Sequence, residues 1–339
     1  MNNQPGDKLL EIQDVSTAFN IDGKYYDAVS DVSLDLYKNE TLAIVGESGC
    51  GKSTLATSIM GLHDTNETKV SGKIHFEGTD LLSLTDDEMN KYRGQKIGMI
   101  FQDPLSALNP LKRVEDQIQE VMVYHTKMDE KQRHARVMEL LNQVGIEKPE
   151  RIAHEFPHEL SGGMRQRIII AIAIACKPDL LIADEPTTAL DVTIQAQILD
   201  VLKDIQNENH EAIILITHDL GVVAETADRV AVMYAGQIVE LGSALKVFHN
   251  PKHPYTRSLL RSMPQRNSEN DDLYVINGTV PSLQKMPTHG DRFAPRIPWV
   301  PASAHEENPV MHELEPGHFV RCTCYKVFDF PAEKEGAKA

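Results

Sequence analysis

The chain has 339 residues, and 34 Lys and Arg against 50 Asp and Glu give it a formal charge of −16. Hydrophobic residues at 41% and charged residues at 25% exclude disorder for its bulk, and the acidic balance argues against nucleic-acid binding, because nothing would neutralise a run of phosphates. The longest apolar run, 168–176, is about half of what a bilayer crossing needs, the opening MNNQPGDKLLEI lacks the pattern of a signal peptide, and four cysteines in so long a chain fit a reducing compartment better than a disulfide framework.

Partial alternation over 9–19 and 28–36 predicts antiparallel strands at one edge. Short apolar runs at 41–45, 97–101, 180–183 and 212–217 alternate with helical patterns as far as about residue 245, which predicts an α/β domain with a largely parallel sheet. Each run ends in polar or Gly residues, where such sheets place their ligands. Thr85, Asp86, Asp87 and Glu88 form a capping box for a short helix. Strand signals then fade from about 103 to 170, and 129–144 reads as a charged helix with Met138, Leu141 and Val144 on one face, closed by Gly145. Residues 230–240 predict a hairpin. From Asn250 onward Pro251, Pro254, Pro264, Pro281, Pro287, Pro295, Pro298, Pro301, Pro309 and Pro316 punctuate a loop-rich tail.

Four segments carry chemistry. Gly46, Glu47, Ser48, Gly49, Cys50, Gly51, Lys52 and Ser53, with Thr54 after them, match G-x-x-x-x-G-K-[ST] between a strand and a helix. Such a loop aims backbone N–H groups at a phosphate, with Lys52 for the β/γ-phosphates and the Ser53 hydroxyl for Mg²⁺. The apolar run ending in Asp184 and Glu185 puts one carboxylate beside that Mg²⁺ and the other near a water at the γ-phosphate. Ser161, Gly162 and Gly163 open another helix and form a second anion site, suited to a nucleotide held by another subunit. His218, after Thr217, stands at the same sheet edge as Asp184.

In this order the segments resemble the ATP-binding subunits of ABC transporters. The phosphate loop, the glutamine loop at Gln102, the signature at 160–166, the acidic strand, the Ala189-Leu190-Asp191 loop and His218 follow the family's sequence through nearly the whole chain. The resemblance implies a RecA-like P-loop NTPase core with an antiparallel β subdomain, a helical insert over about 103–170 and a loop-rich C-terminal extension. The ATP-binding domain would then be 1–249 and the extension 250–339. It implies bound ATP and Mg²⁺, with Gln102 sensing the metal and the γ-phosphate, Ser161, Gly162 and Gly163 closing over the partner's ATP, Asp191 helping to join the halves, and Glu185 and His218 as catalytic residues. Phe19 is the best positional match to the aromatic residue that stacks on adenine in this family, with Tyr26 as the fallback.

The stretches 101–110 and 250–264, with 278–282 and 293–296, are similar to hallmarks of the oligopeptide/dipeptide/nickel importer ATPases. That group implies two integral-membrane permease subunits, a second related ATPase subunit, an extracytoplasmic substrate-binding protein and a peripheral place on the cytoplasmic face of the cell membrane. Oligopeptides are the first expected cargo, with dipeptides and nickel as alternatives. Many members carry a cysteine cluster with an iron–sulfur centre in the extension. Here Ile297 and Ala304 stand where two of the cysteines are expected, and only Cys322 and Cys324 remain, too few for a cluster that takes four ligands. The expectation is no iron–sulfur cluster and an extension held by packing alone; the alternative is a zinc site using His305 and His312.

Overall fold

The computed structural model describes residues 7–103, 107–188, 190–263 and 274–331. Of the sequence motifs, residues 104–106, Ala189 and Pro264 lie outside the described residues. The expected edge strands are β1 (Lys8–Ile21) and β2 (Lys24–Tyr37), paired antiparallel with Ile12 opposite Leu34 and Phe19 opposite Tyr26. Next, β3 (Thr41–Val45) runs into the phosphate loop and helix α1 (Lys52–Ile59). The chain returns through β4 (Thr68–Phe76) and β5 (Thr79–Asp80), giving an antiparallel sheet in the order β2-β1-β4-β5. Helix α2 (Asp86–Met89) has the predicted capping box, with Thr85 and Glu88 bonded reciprocally.

After β6 (Ile97–Ile100) the described residues include the helices α3 (Val114–His125), α4 (Glu130–Gln143), α5 (Pro149–Ile152) and α6 (Gly162–Ala173). The remainder of the core alternates β7 (Leu180–Asp184), α7 (Val192–Asn209), β8 (Ala212–Thr217), α8 (Leu220–Thr226) and the hairpin β9 (Arg229–Tyr234) and β10 (Gln237–Ser243). Beyond it lie α9 (Ala244–His249), α10 (Pro254–Arg261), β11 (Met311–Glu315) and β12 (His318–Arg321). Among the described residues no helix is long and apolar enough to cross a membrane.

The main sheet has the order β11-β12-β10-β9-β3-β8-β7-β6 among the described residues, with β9, β3, β8, β7 and β6 parallel. Its central strands are buried on both faces, and their period of two sorts the core. Leu42, Ile44, Leu180, Ile182, Ile214, Ile216, Ala231 and Met233 face the antiparallel sheet and α1. On the opposite face, Leu181, Ala183, Ile213 and Leu215 meet the insert helices through Ile118, Leu141 and Ile170. Beside them Ala43, Val45, Val230 and Val232 meet the extension through Tyr255, Phe293 and Ile297. The insert and the extension thus cover one face of the sheet side by side.

The extension is more than loops. Its strand β12 pairs antiparallel with β10, Glu240 opposite Val320, and continues the sheet. The fully buried Glu240 carboxylate accepts the amide N–H groups of Lys252 and His253 at 2.8 and 2.9 Å and His318 Nε2 at 2.8 Å, and all three of these donors come from beyond residue 249. Charge-assisted bonds of this kind are the ones that make a buried carboxylate tolerable.

Glu211, just before β8, is buried with a single donor, Asn209 Nδ2 at 3.1 Å, on one oxygen. Burial pushes its pKa up to about 8. The folded chain keeps this proton while the unfolded chain releases it at ordinary carboxyl pH, so the contribution to stability is full in acid and lost as pH rises toward 8. Glu211→Gln should remove that loss and stabilise the protein by on the order of 2 kcal/mol at pH 8, with little effect at pH 5. Urea melts at the two pH values measure it; the same pH slope in both proteins would refute the assignment.

Candidate functional site

The phosphate loop joins the end of β3 to α1, and its shape is forced by close packing. A Cβ on Gly46 would lie 2.1 Å from the Met233 carbonyl oxygen, so only glycine fits where the loop crosses β9. Lys52 is buried, and its Nζ donates to the carbonyls of Gly46 at 2.8 Å and Glu47 at 3.1 Å. Both of these contacts are to neutral carbonyls, which leave the ammonium's charge unbalanced at close range. An unneutralised buried cation at a helix start is a ready anion site. Ser48 and Gly49 are exposed at the tip, Cys50 is buried with its thiol pushed up by burial, Gly51 leads into α1, and Thr54 turns its carbonyl toward Thr57 and Ser58.

Ser53 Oγ donates to Asp184 Oδ1 at 3.0 Å across the sheet edge. Burial pushes the Asp184 pKa up, opposed by this hydroxyl and by the Lys52 charge. A divalent cation between Ser53 and Asp184 would supply the charge that the buried carboxylate lacks, and oxygen donors of this kind suit Mg²⁺.

Glu185 follows immediately, with a left-handed backbone (φ 46°) that turns its carboxylate out of the strand; its amide is held by the Ile216 carbonyl at 2.9 Å. Its Oε2 accepts Gln102 Nε2 at 3.0 Å and Thr188 Oγ1 at 2.8 Å, and His218 Nδ1 lies 3.5 Å away on a largely exposed ring. The residues expected at the reacting end, Gln102, Asp184, Glu185 and His218, are therefore brought together at the carboxyl ends of parallel strands. Thr188 is an addition; it was legible only as a threonine after the acidic pair.

Ser161, Gly162 and Gly163 stand apart from this cluster at the start of α6. Ser161 caps the helix by accepting the Met164 amide at 3.3 Å. A Cβ on Gly163 would meet Ile194 Cγ2 at 2.8 Å, so α6 passes close to α7, whereas one on Gly162 would meet only Leu190 Cδ2, at 3.8 Å. Asp191 caps α7 by accepting the Ile194 amide at 3.0 Å. Phe19 and Tyr26 face each other across β1 and β2, both half-buried, and Phe19 packs edge-on against His63 at 5.6 Å.

Two contacts from the extension escaped sequence reasoning. The Tyr255 hydroxyl accepts the amide N–H of Glu47 at 2.8 Å, and Arg296 Nη1 donates to both Glu47 carboxylate oxygens at 2.9 and 3.0 Å. The other guanidinium nitrogens of Arg296 are spent on the carbonyls of Asn277, Ile276 and Gly278. The phosphate loop is therefore gripped from behind by the tail, a role that the motif 293–296 does not announce.

Comparison with known proteins agrees with this geometry. A family described as "ABC transporter" matches residues 29–188, and one described as "Oligopeptide/dipeptide transporter, C-terminal region" matches 239–300. The oligopeptide transport ATP-binding protein OppD of Lactococcus lactis subsp. cremoris is 54% identical over 329 residues, 97% of each chain. The dipeptide transport ATP-binding protein DppD of Bacillus subtilis is 52% identical over 293 residues, 86% of this chain and 87% of that one. Among solved structures, the ATP-binding cassette MJ0796, a dimer in a post-hydrolysis state bound to ADP and Pi, superposes with a TM-score of 0.63 at 28% identity, covering 70% of this chain and 99% of that one. With its RecA-like P-loop core, its antiparallel subdomain and a matched C-terminal region, the chain belongs to the ATP-binding subunits of ABC transporters, in the branch that carries the oligopeptide/dipeptide C-terminal region.

Proposed function

We propose that this ATPase powers uptake of oligopeptides from the cytoplasmic face of the cell membrane, where it works with two integral-membrane permease subunits, a second related ATPase and an extracytoplasmic substrate-binding protein. The observation that carries the reading is the convergence of Gln102, Thr188 and His218 on one oxygen of Glu185, next to Asp184 and the Lys52 loop. The cargo follows from the 54% identity to OppD over 97% of both chains; the 52% identity to DppD keeps a dipeptide importer as the second reading. Residues 1–249 would form the ATP-binding unit, its insert at about 103–170 meeting the permease, and 250–339 the extension.

In this reading Lys52 exchanges the Gly46 and Glu47 carbonyls for the β/γ-phosphates of ATP, while the loop from Gly46 to Thr54 wraps the phosphate chain. Ser53, Asp184 and Gln102 would hold Mg²⁺, which would supply charge neutralisation at the phosphate oxygens. Glu185, its Oε2 fixed by three neighbours, takes the proton of the attacking water, and His218 contacts the γ-phosphate. Phe19 stacks on adenine, with Tyr26 as the alternative. Two ATPase subunits pair head to tail, so that Ser161, Gly162 and Gly163 of one close over the nucleotide of the other and Asp191 helps to join them. The open space at Gly162 supports an approach from outside the subunit.

The trans arrangement gives the test. In a heterodimer, Ser161→Arg in this chain should cut hydrolysis at the partner's phosphate loop by more than about tenfold, in line with the loss of one oriented donor set, and spare this chain's own site. Single-site nucleotide labelling reads the two sites separately; equal loss at both refutes the head-to-tail reading.

A further inference from the structure

Outside the nucleotide site, the described residues bring one mixed set of sulfur, nitrogen and oxygen metal donors together. Asp291, His305, Cys322 and Cys324 come from three separate stretches of the extension, and their ligand atoms all lie within 4.8 Å of one another. Each is withdrawn from solvent: the side chains of Asp291 and His305 are 5% and 9% exposed, and Cys322 and Cys324 are 1% and 0% exposed.

The backbone around the cluster aims these groups inward. Cys322 leaves β12 in a left-handed conformation (φ 66°), its amide donating to the Val310 carbonyl at 3.3 Å. Asp291 Oδ1 is occupied by the Phe293 amide at 2.9 Å, which leaves Oδ2 for the cluster. There Oδ2 meets His305 Nδ1 at 2.7 Å and Cys324 Sγ at 3.4 Å. One oxygen is thus the focus of an imidazole and a thiol, with the second sulfur close by.

An Asp–His ion pair beside two apolar thiols would explain the first pair of residues but not the second. Both thiols border the apolar cluster of the extension, yet Cys324 Sγ also faces the Asp291 carboxylate at 3.4 Å, and Cys322 Sγ lies within 4.8 Å of the same group.

We propose that Asp291, His305, Cys322 and Cys324 bind one zinc ion, which fastens the end of β12 to the two loops of the extension that carry Asp291 and His305. Zn–S bonds near 2.3 Å and Zn–N or Zn–O bonds near 2.0 Å place tetrahedral donors about 3.3–3.8 Å apart, so the cluster closes by about 1 Å at its widest on binding. The mixed sulfur, nitrogen and oxygen set selects zinc over Mg²⁺ or Ca²⁺. On binding, both thiols and the imidazolium Nδ1 that faces Asp291 release their protons to solvent, and the imidazole keeps its remaining proton on Nε2; the site then carries one net negative charge. An iron–sulfur cluster does not fit, because Ile297 and Ala304 belong to the apolar cluster and supply no thiolate. His312 is elsewhere, 2.7 Å from Glu306, so zinc binding through His312 is not supported. The proposal replaces the expectation that packing alone holds the extension.

The ion would steady more than the tail. Phe293, two residues from Asp291, packs on Tyr234 and Tyr255 with ring centroids 5.2 and 5.4 Å apart, and Tyr255 is the residue that holds the Glu47 amide.

The test uses the full-length chain purified under reducing conditions. Incubation with Zn²⁺ followed by desalting and metal analysis should leave about one zinc per chain, and Co²⁺ in its place should give the intense visible bands of a tetrahedral site with a sulfur-to-cobalt charge-transfer band. Cys324→Ser and Asp291→Asn should each weaken Co²⁺ binding by more than about tenfold, and Cys324→Ser should diminish the charge-transfer band. The proposal is overturned if the unmodified chain retains less than about a tenth of an equivalent of zinc, if it instead holds stoichiometric iron and sulfide, or if the cobalt spectrum is unchanged by Cys324→Ser. The unmodified chain alone decides the first two outcomes, so a misfolded variant does not spoil the test.

Discussion

Glu185→Gln should bind ATP normally and hydrolyse it about 10²–10⁴ times more slowly, the usual worth of a positioned general base. The amide keeps the size of the side chain and one oxygen for Gln102 and Thr188, which now meet at Oε2, but it cannot take a proton. Binding rests on Lys52 and the loop, which the change leaves alone. The ATP-bound dimer should accumulate in the variant, visible by size-exclusion chromatography in the presence of ATP and Mg²⁺. Turnover within about threefold of the unmodified chain would remove Glu185 from the reaction, since a general base is worth far more.

Lys52→Ala should act one step earlier. Charge-assisted hydrogen bonds are worth about 1.5–3 kcal/mol, so the loss of this ammonium should weaken ATP binding by roughly 10–100-fold. Because Lys52 Nζ also bridges the Gly46 and Glu47 carbonyls, part of that loss comes from a loop that no longer holds its shape. Isothermal titration with a non-hydrolysable ATP analogue separates this effect from turnover. Unchanged affinity would mean that the loop from Gly46 to Ser53 does not carry the phosphates.

Much of this was open to a reader of the sequence because it is local. The strand β3 falls at the predicted 41–45, and β8 at 212–217, since an apolar run buried on both faces is marked by its composition alone. The phosphate loop, the acidic end of β7 and the cap at Ser161 are likewise contiguous motifs. The strand β11 was not legible: Met311, His312, Glu313, Leu314 and Glu315 form a short edge strand with no clear alternation of burial. The grip of Tyr255 and Arg296 on Glu47 joins positions 208 and 249 residues apart, and no local pattern reports such a pairing. The four proposed zinc ligands fail for a related reason. Cys322 and Cys324 lack the two-residue spacing of familiar zinc motifs, and Asp291, 33 residues before Cys324, is an ordinary loop aspartate until the chain has folded.

The pairing of β12 with β10 sets an order of events during synthesis. While the ribosome is still making residues 250–310, β9 and β10 can already close their hairpin, but the outer edge of β10 has no neighbour. Glu240 at that moment lacks His318 and, until residues 252 and 253 have emerged, both amides as well. The nascent ATP-binding core is therefore an open sheet edge with a carboxylate in the middle of it, and unpaired edges of this kind recruit other chains. A charged residue pointing into such an edge discourages that pairing. Glu240 thus serves in turn as a guard against aggregation while it is exposed and as the anchor for the last-made segment once His318 arrives.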